Sequence, residues 1–414
     1  MREHGGEKKI PSILSNCTAA VFCAESYNAL AVTRSLGRRG VPVIALGQDE
    51  DSITFQSRYA TEKLVYPDPV TDETGFLRIA RELGERQRAA GLRTVLFSTS
   101  DRVVKLFSDH REQFRDLFEL YLPERTAVEV SLDKLAQYRV AEKIGVPYPR
   151  TYSNGDHARL VQDMAAGCAV PPLILKARLP LNDHSLARFR RMKLETIADA
   201  AARVAEAESL KVPFVVQEII PGGDDQLYTL GSTMNARGEL VSYFTGRKLR
   251  QMPPGFGICR VGESRPVPEV VEQGARLLAA IGFHGISQVE FKYDARDSRY
   301  KLMEVNPRSW SWIGLPIALG VDLPWAMFCE ALARPLPLQT ALPSQQWLWI
   351  SLTDDLERSL QHRDGTPLAH LAAGYERVVE AFYASDDPAP GISHFGRAAR
   401  EWGGRLVGKF VKLG

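Results

Sequence analysis

The chain has 414 residues, of which 44% are hydrophobic and 25% are charged. A typical domain has roughly 100–200 residues, so the chain is long enough for about two to four domains. Its 52 basic and 50 acidic residues leave a formal net charge of +2. This balance gives no reason to expect nucleic acid as a partner, because binding to a phosphate backbone requires a concentrated basic surface.

The five cysteines are scattered, and no two of them have CxxC spacing. This pattern argues against a disulfide framework and against a structural zinc site. The start of the chain is polar and no apolar stretch approaches the roughly 20 residues that a bilayer span requires. We therefore expect a cytoplasmic protein.

Residues 1–125 predict alternating strands and helices. Apolar runs at 18–24, 41–46 and 94–97 are typical of buried strands, and helical spacing follows each run. This pattern predicts a doubly wound α/β domain. The loop after the first strand lacks the GxGxxG pattern of dinucleotide sites, so we expect this domain to form one wall of a substrate cleft.

Residues 126–220 predict a linker helix followed by a smaller unit. The helix is expected at 133–144, and strands at 173–176 and 214–217 flank a helix rich in alanine and glutamate. The basic, polar stretch at 178–193 is predicted to be a loop. Residues 221–335 are expected to form strands with a closing helix, and residues 336–414 a more irregular tail.

The most informative segment is a predicted hairpin at 287–305, whose two strands are joined by a polar turn. Antiparallel pairing would bring Glu290 and Glu304 close together on one face, where like charges destabilise a sheet unless a cation binds. Asn306 lies on the same face and adds a neutral oxygen. These three side chains form a hard-oxygen site suited to Mg²⁺. The alternative is a pair of solvated glutamates, and the Asn306-Pro307-Arg308 that follows favours the metal site.

These residues resemble the ATP-grasp superfamily, whose Glu-x-Asn-Pro-Arg signature is present as residues 304–308. The resemblance covers about residues 18 to 335. It implies an α/β and α+β multidomain chain, in which an ATP-grasp fold with a lid follows an N-terminal Rossmann-like domain. It also implies that ATP and Mg²⁺, with two ions expected, bind between lid and sheet. Lys176 matches the lysine of that family that contacts the α-phosphate. Lys134 matches a second lysine just before the lid, and both are candidates for binding ATP.

The same resemblance places the adenine hinge at residues 216–222. The backbone of Glu218 and Ile220 would pair with the adenine edge, with Gln217 and Ile219 beside them. An acidic side chain would hold the ribose hydroxyls, and both Glu218 and Asp225 are candidates for it.

Basic residues near the metal site are candidates for contact with the transferred phosphoryl group. In the cluster at 247–250, Lys248 and Arg250 would share one face of a strand, and Arg247 would face away unless a bulge intervenes. The alternative is an exposed basic strand end. Arg308 is the stronger candidate, because its fork-shaped guanidinium suits a carboxylate or phosphate.

Two further basic segments leave alternatives open. The expected lid loop at 177–193 has no glycine, so side chains such as His184 and Arg191 are expected to cover the phosphates. The segment at 397–412 is basic and amphipathic. It is interpreted either as a helix resting on the inner face of a membrane or as a helix packed on the protein body.

The resemblance implies a ligase that joins a small-molecule carboxylate to an amine through an acyl-phosphate. The layout looks most like the carboxylate–amine ligases near the D-aspartate ligase branch. Amino-acid ligases that make dipeptides are a close alternative, and carboxylases that activate bicarbonate are a more distant one. A nucleotide sensor without catalysis also stays open, and a homodimer is the default expectation for the assembly.

Overall fold

Three β-sheets organise the part of the chain that this computed structural model describes, residues 16–179, 189, 191–362 and 372–411. The first sheet is parallel, and its strands are β1 (Cys17–Phe22), β2 (Val43–Gly47), β3 (Ala60–Val65) and β4 (Arg93–Phe97). Its helices are α1 (Tyr27–Gly37), α2 (Glu73–Ala89), α3 (Asp101–Asp109) and α4 (Arg111–Phe114). The central strand β1 is buried along its whole length, as expected for a parallel strand covered on both faces. The predicted α/β domain is confirmed.

The strand order β3-β2-β1-β4 determines where the loops of this domain meet. Strands β2 and β4 lie on opposite sides of β1, so the strand order reverses at β1. Loops at such a reversal commonly border a ligand cleft. Ser26 caps α1 by accepting a hydrogen bond from Ala29 N at 3.1 Å. Its hydroxyl lies 3.2 Å from that of Thr99, in the loop after β4. Both hydroxyl residues face the cleft between this domain and the largest sheet.

The second sheet is antiparallel and forms a small subdomain. Its strands, in the order β5-β8-β6-β7, are β5 (Thr151–Ser153), β6 (Leu173–Ala177), β7 (Met192–Leu194) and β8 (Phe214–Glu218). The helices before and on it are α5 (Arg125–Leu132), α6 (Lys134–Ile144), α7 (His157–Ala165) and α8 (Ile197–Ser209). The short strand β7 overlaps the last two residues of the predicted loop at 178–193. It forms because the fully buried Leu194 pairs with Leu173 of β6.

The third sheet has seven strands in the order β13-β12-β9-β10-β11-β14-β15. They are β9 (Leu227–Met234), β10 (Leu240–Met252), β11 (Ile258–Ser264), β12 (Gly285–Asp294), β13 (Arg299–Asn306), β14 (Trp347–Ile350) and β15 (Arg377–Glu380). Helix α9 (Pro268–Ile281) packs on one face through Leu277 and Leu278, against Leu230 of β9. Two short helices, α10 (Gly314–Ala318) and α11 (Leu323–Ala331), follow β13.

Two tryptophans join the other face of this sheet to the N-terminal domain. Trp310 and Trp312 are fully buried in one apolar cluster with residues of α1. The indole of Trp310 covers Gly231 of β9, where an added Cβ would lie 1.9 Å from the ring. Trp312 covers Gly246 of β10 in the same way. Glycine is therefore required at both strand positions by the close approach of an indole.

The expectation of an irregular tail after residue 335 is wrong. Strands β14 and β15 extend the third sheet beyond the 221–335 segment, and β14 pairs with β11. In the described part of this region, helices α12 (Leu352–His362) and α13 (Ala389–Val411) accompany them. Local patterning did not reveal these strands because they are four residues long and pair with partners distant in sequence.

The first turns of α13 pack on the protein body. The ring of His394 stacks on Phe382 with centroids 3.5 Å apart, and its Nε2 lies 2.7 Å from Thr353 Oγ1. Side chains from 402 onward lie outside the described residues, so the membrane interpretation of this segment stays a prediction. Among the described helices, none combines the length and apolar character needed to cross a bilayer.

Candidate active site

A cavity of about 600 Å³ lies between the N-terminal domain, the small antiparallel sheet and the seven-stranded sheet. Seven of the residues singled out from the sequence line it together: Lys134, Lys176, Lys248, Glu290, Glu304, Asn306 and Arg308. The other predicted site residues, Arg247, Arg250, Gln217, Glu218, Ile219, Ile220 and Asp225, do not line this cavity. The cavity therefore gathers the predicted metal ligands and phosphate contacts.

The two glutamates face each other directly across the β12–β13 hairpin, because Glu290 pairs with Glu304 in the antiparallel register. Burial raises the pKa of Glu290, and the nearby Glu304 raises it further, although Lys248 opposes both effects. Burial alone would also raise the pKa of Glu304, but Lys134, Lys248 and Lys176 outweigh it and hold that pKa below its usual range. The negative charge of the two carboxylates is thus stabilised by neighbouring lysines and not by solvent.

Amide groups connect these carboxylates to their neighbours. Asn306 Nδ2 donates to Glu304 Oε1 at 3.3 Å and to Gln288 Oε1 at 3.2 Å. Gln288 Nε2 in turn donates to Glu290 Oε1 at 3.0 Å. Gln288 was not predicted as a site residue, although its position two residues before Glu290 on the same strand places it on the same face.

The donor set fits a divalent cation. Two carboxylates and an amide oxygen are hard ligands of the kind that Mg²⁺ prefers. Two buried like charges on adjacent strands are costly without a compensating cation. In this structure the compensation comes from Lys248, whose Nζ is 2.7 Å from Glu290 Oε1. Arg308 completes this wall, since it donates to Asn306 Oδ1 at 3.2 Å and pairs with Asp101 at 2.7 Å.

Two lysines approach the cavity from the side of the small sheet. Lys134 is the first residue of α6, a helix capped by the side chain of Asp133. Lys176 comes from β6, where burial and the neighbouring charge of Lys134 lower its pKa to about 8. Arg191 lines the cavity as well, whereas residues 180–188 and 190 of the expected lid loop, including His184, lie outside the described residues.

The expected arrangement of the basic cluster on β10 is wrong. A bulge at Leu249 places Lys248 opposite Gly262 and Arg250 opposite Val261 on β11, so Lys248 and Arg250 face opposite sides of the sheet. Arg247 pairs with Glu263 at 2.7 Å, and Arg250 pairs with Asp355 at 3.0 Å. Lys248 alone of the three lines the cavity.

The predicted hinge at 216–222 begins in the last residues of β8 and continues beyond it, on the side of the small sheet. Gln217 is buried, and its Nε2 donates to Thr151 Oγ1 at 2.9 Å. The Glu218 carboxylate accepts from the backbone N–H of Arg150 at 2.9 Å and from Arg296 at 2.8 Å. Ile220 is buried. Asp225, in the short turn of 3₁₀ helix that follows the hinge, is exposed.

Part of the sequence is similar to that of a known ligase. D-aspartate ligase from Enterococcus faecium (strain Aus0004) is 27% identical over 253 residues, which is 58% of this chain. The matched region also spans 58% of the length of that relative. No protein-family model matches the sequence.

Solved structures share the fold at lower sequence identity. N5-carboxyaminoimidazole synthetase from Staphylococcus aureus, complexed with ADP, aligns over 86% of this chain and 87% of its own, with a TM-score of 0.61 and 14% identity. Biotin carboxylase from Campylobacter jejuni, a beta-gamma-ATP complex, aligns over 77% and 72%, with a TM-score of 0.59 and 16% identity. L-amino acid ligase from Bacillus licheniformis aligns over 78% and 75%, with a TM-score of 0.55 and 15% identity. The chain therefore has the ATP-grasp fold, with a Rossmann-like N-terminal domain in front of it.

Proposed function

We propose that this chain is an ATP- and Mg²⁺-dependent ligase that joins a carboxylate to an amine and releases ADP and phosphate. The observation that carries the proposal is the pairing of Glu290 with Glu304 at the wall of a cavity that five cationic side chains also line. Carboxylates that bind metal and cations that bind phosphate are needed together when a phosphoryl group is transferred. The similarity to D-aspartate ligase supports the same reaction class.

In this proposal Glu290, Glu304 and Asn306 hold Mg²⁺, with two ions expected. The metal would supply charge neutralisation on the phosphate oxygens. Lys134 and Lys176 bind the phosphates of ATP, and Lys248 and Arg308 stabilise the negative charge that develops during transfer. The substrate carboxylate attacks the γ-phosphorus, ADP leaves, and the amine then displaces phosphate from the acyl-phosphate.

We assign the adenine to the hinge backbone at Glu218 and Ile220, beside Gln217 and Ile219. Asp225 is the better candidate for the ribose hydroxyls, because the Glu218 carboxylate already accepts from Arg150 and Arg296. Exposure of Asp225 leaves its carboxylate accessible to a ligand. Arg247 and Arg250 are left out of the reaction because they face away from Lys248.

We place the reaction in the cytoplasm, on small-molecule substrates. Among ligases, a D-aspartate ligase-like activity and a dipeptide-forming activity are both candidates, because both join a carboxylate to an amine. A sensor that binds nucleotide without catalysis is the second candidate class. The presence of all three proposed metal ligands favours the ligase, because nucleotide binding alone would tolerate their loss.

Phosphate release from Mg-ATP tests the proposal. The purified chain is assayed with a panel of amino acids and small carboxylates, next to Glu304→Gln and the control Glu272→Gln, which lies exposed on α9. We expect release that requires both substrates and falls by about 100-fold or more in Glu304→Gln, because the loss of a metal ligand removes several kcal/mol of charge stabilisation. Nucleotide binding without release across the panel would instead support the sensor.

A further inference from the structure

Lys248 stands between a carboxylate and an amide at the wall of the cavity. Its Nζ is 2.7 Å from Glu290 Oε1, and it donates to Gln251 Oε1 at 3.4 Å. Lys248 is 5% exposed and Gln251 is 2% exposed, so these two partners take the place of bulk water around the ammonium. The bulge at Leu249 brings the side chains at 248 and 251 to the same face of the sheet.

Gln251 is in turn held by Asp224, from the turn that follows the nucleotide hinge. Gln251 Nε2 donates to Asp224 Oδ1 at 2.9 Å, and the backbone N–H of Gln251 donates to Asp224 Oδ2 at 2.9 Å. The backbone N–H of Gly255 donates to Asp224 Oδ1 at 2.8 Å. One carboxylate thus fixes both the amide next to Lys248 and the loop between β10 and β11.

This β10–β11 loop is part of the cavity wall, since residues 255–258 line it together with Lys176 and Glu304. A Cβ at Gly257 would lie 2.1 Å from the backbone carbon of Met252, so the loop folds back tightly on its own start. A tightly folded loop has few other ways to satisfy the N–H of Gly255. Asp224 therefore links the hinge region, the loop and Lys248 through consecutive hydrogen bonds.

We propose that Asp224 and Gln251 are positioning residues that direct the Lys248 ammonium toward the transferred phosphoryl group. This inference rests on the proposed ligase function. Glu290 is shared between Lys248 and the proposed metal site, so its bond to Lys248 weakens when the carboxylate binds a cation. Gln251 is neutral, does not belong to the metal site and keeps its hold on Lys248 at that stage. Asp224 keeps Gln251 in place and holds the loop over the cavity.

Steady-state kinetics of phosphate release test the role of Gln251. In Gln251→Leu we expect kcat to fall about 10- to 100-fold, because the ammonium loses its orientation, while KM for ATP changes by less than about threefold. Gln339→Leu is the matched control, since Gln339 binds the backbone of Tyr243 at the other end of β10. We expect this control to lower stability without lowering kcat.

Exchanging the charged and the neutral side chain between positions 224 and 251 tests whether these residues orient Lys248 or only support the fold. Gln251→Glu places two carboxylates against each other. The double variant Asp224→Asn/Gln251→Glu restores a donor–acceptor pair between the two side chains with one negative charge, and it gives up only the bond from Gly255 N–H to the replaced oxygen. We expect the double variant to recover at least about tenfold in kcat over Gln251→Glu. An unchanged kcat in Gln251→Leu, or no recovery in the double variant, overturns the proposal.

Hydrogen exchange without nucleotide gives a readout that does not depend on turnover. In Asp224→Ala we expect faster exchange of backbone amides at 252–258, with the exchange of β9 unchanged. If the wild type shows no turnover, the ligase proposal fails, and the same exchange measurement still decides whether Asp224 holds the loop. Equal exchange at 252–258 in wild type and variant contradicts the inference.

Discussion

Glu290 and Glu304 show how the chemistry of single residues depends on their surroundings. They are paired in one register, yet burial and Glu304 raise the pKa of Glu290, whereas three lysines hold the pKa of Glu304 below its usual range. Because its pKa is the lower of the two, the Glu304 carboxylate is the ligand that favours the ionised form, in which it can bind a cation. The sequence predicted the pair itself, because strand alternation and the polar turn fix which residues oppose each other.

Lys176 leads to a prediction about pH. Its pKa is lowered to about 8 by burial and by Lys134, with Arg191 acting in the same direction and Glu304 and Glu290 opposing them. The ammonium form, which pairs with phosphate, therefore prevails below about pH 8 and is lost as the pH rises through that value. We expect the Kd for Mg-ATP to increase by up to about tenfold per pH unit above pH 8.

The measurement is a titration of Mg-ATP affinity between about pH 7 and about pH 9.5. Lys176→Arg is the matched variant, because a guanidinium stays charged over this range. Its affinity should remain nearly flat where that of the wild type declines. A wild-type affinity that does not change through pH 8 would show that Lys176 is not the titrating contact.

At the scale of elements, the hairpin and the first domain were predictable, but the bulge and the last strands were not. The hairpin follows from local alternation in residues that are adjacent in sequence. The bulge at Leu249 depends on the register with β11, which no local pattern specifies. Likewise, β15 pairs in parallel with β14 only after the intervening chain has crossed over. Arg250 was therefore assigned to the wrong face, and the C-terminal strands were missed.

The packing of indoles over glycines gives a prediction about stability. In Gly231→Ala the new methyl group would collide with the fully buried ring of Trp310. We expect a loss of about 1–3 kcal/mol in the free energy of unfolding, because the core cannot accept the extra volume without strain. Urea denaturation measures this loss.

Gly396→Ala serves as the comparison, since an added Cβ in that part of α13 meets no atom within 4 Å. Alanine is the better helix former, so this variant should be as stable as the wild type or slightly more so. Equal stability of Gly231→Ala and Gly396→Ala would mean that the strand and the Trp310 ring can move apart without a cost in stability.

At the scale of the whole molecule, a buried ion pair joins the N-terminal domain to the C-terminal segment. Arg34 Nε lies 2.9 Å from Asp387 Oδ2, and these side chains are 6% and 1% exposed. In Arg34→Met the Asp387 carboxylate would remain buried without its counter-ion. We expect a destabilisation of about 3–5 kcal/mol, measured by denaturant unfolding.

The pair between Arg38 and Asp386, one helical turn away, is the internal control. Its side chains are 37% and 40% exposed, so Arg38→Met should cost about 0–1 kcal/mol. A similar cost for both substitutions would contradict the view that the buried pair carries the contact between the two segments.

The distance between Arg34 and Asp387 along the chain also bears on synthesis at the ribosome. The two residues are 353 positions apart. At about 5–20 residues per second, Arg34 waits about 20–70 s for its partner. During most of that interval the apolar side of α1 lacks Trp312, and until near its end it lacks Phe382, although all belong to one cluster in the finished protein. The nascent first domain thus exposes an apolar surface for most of translation, and we expect chaperones that act at the ribosome to bind it there.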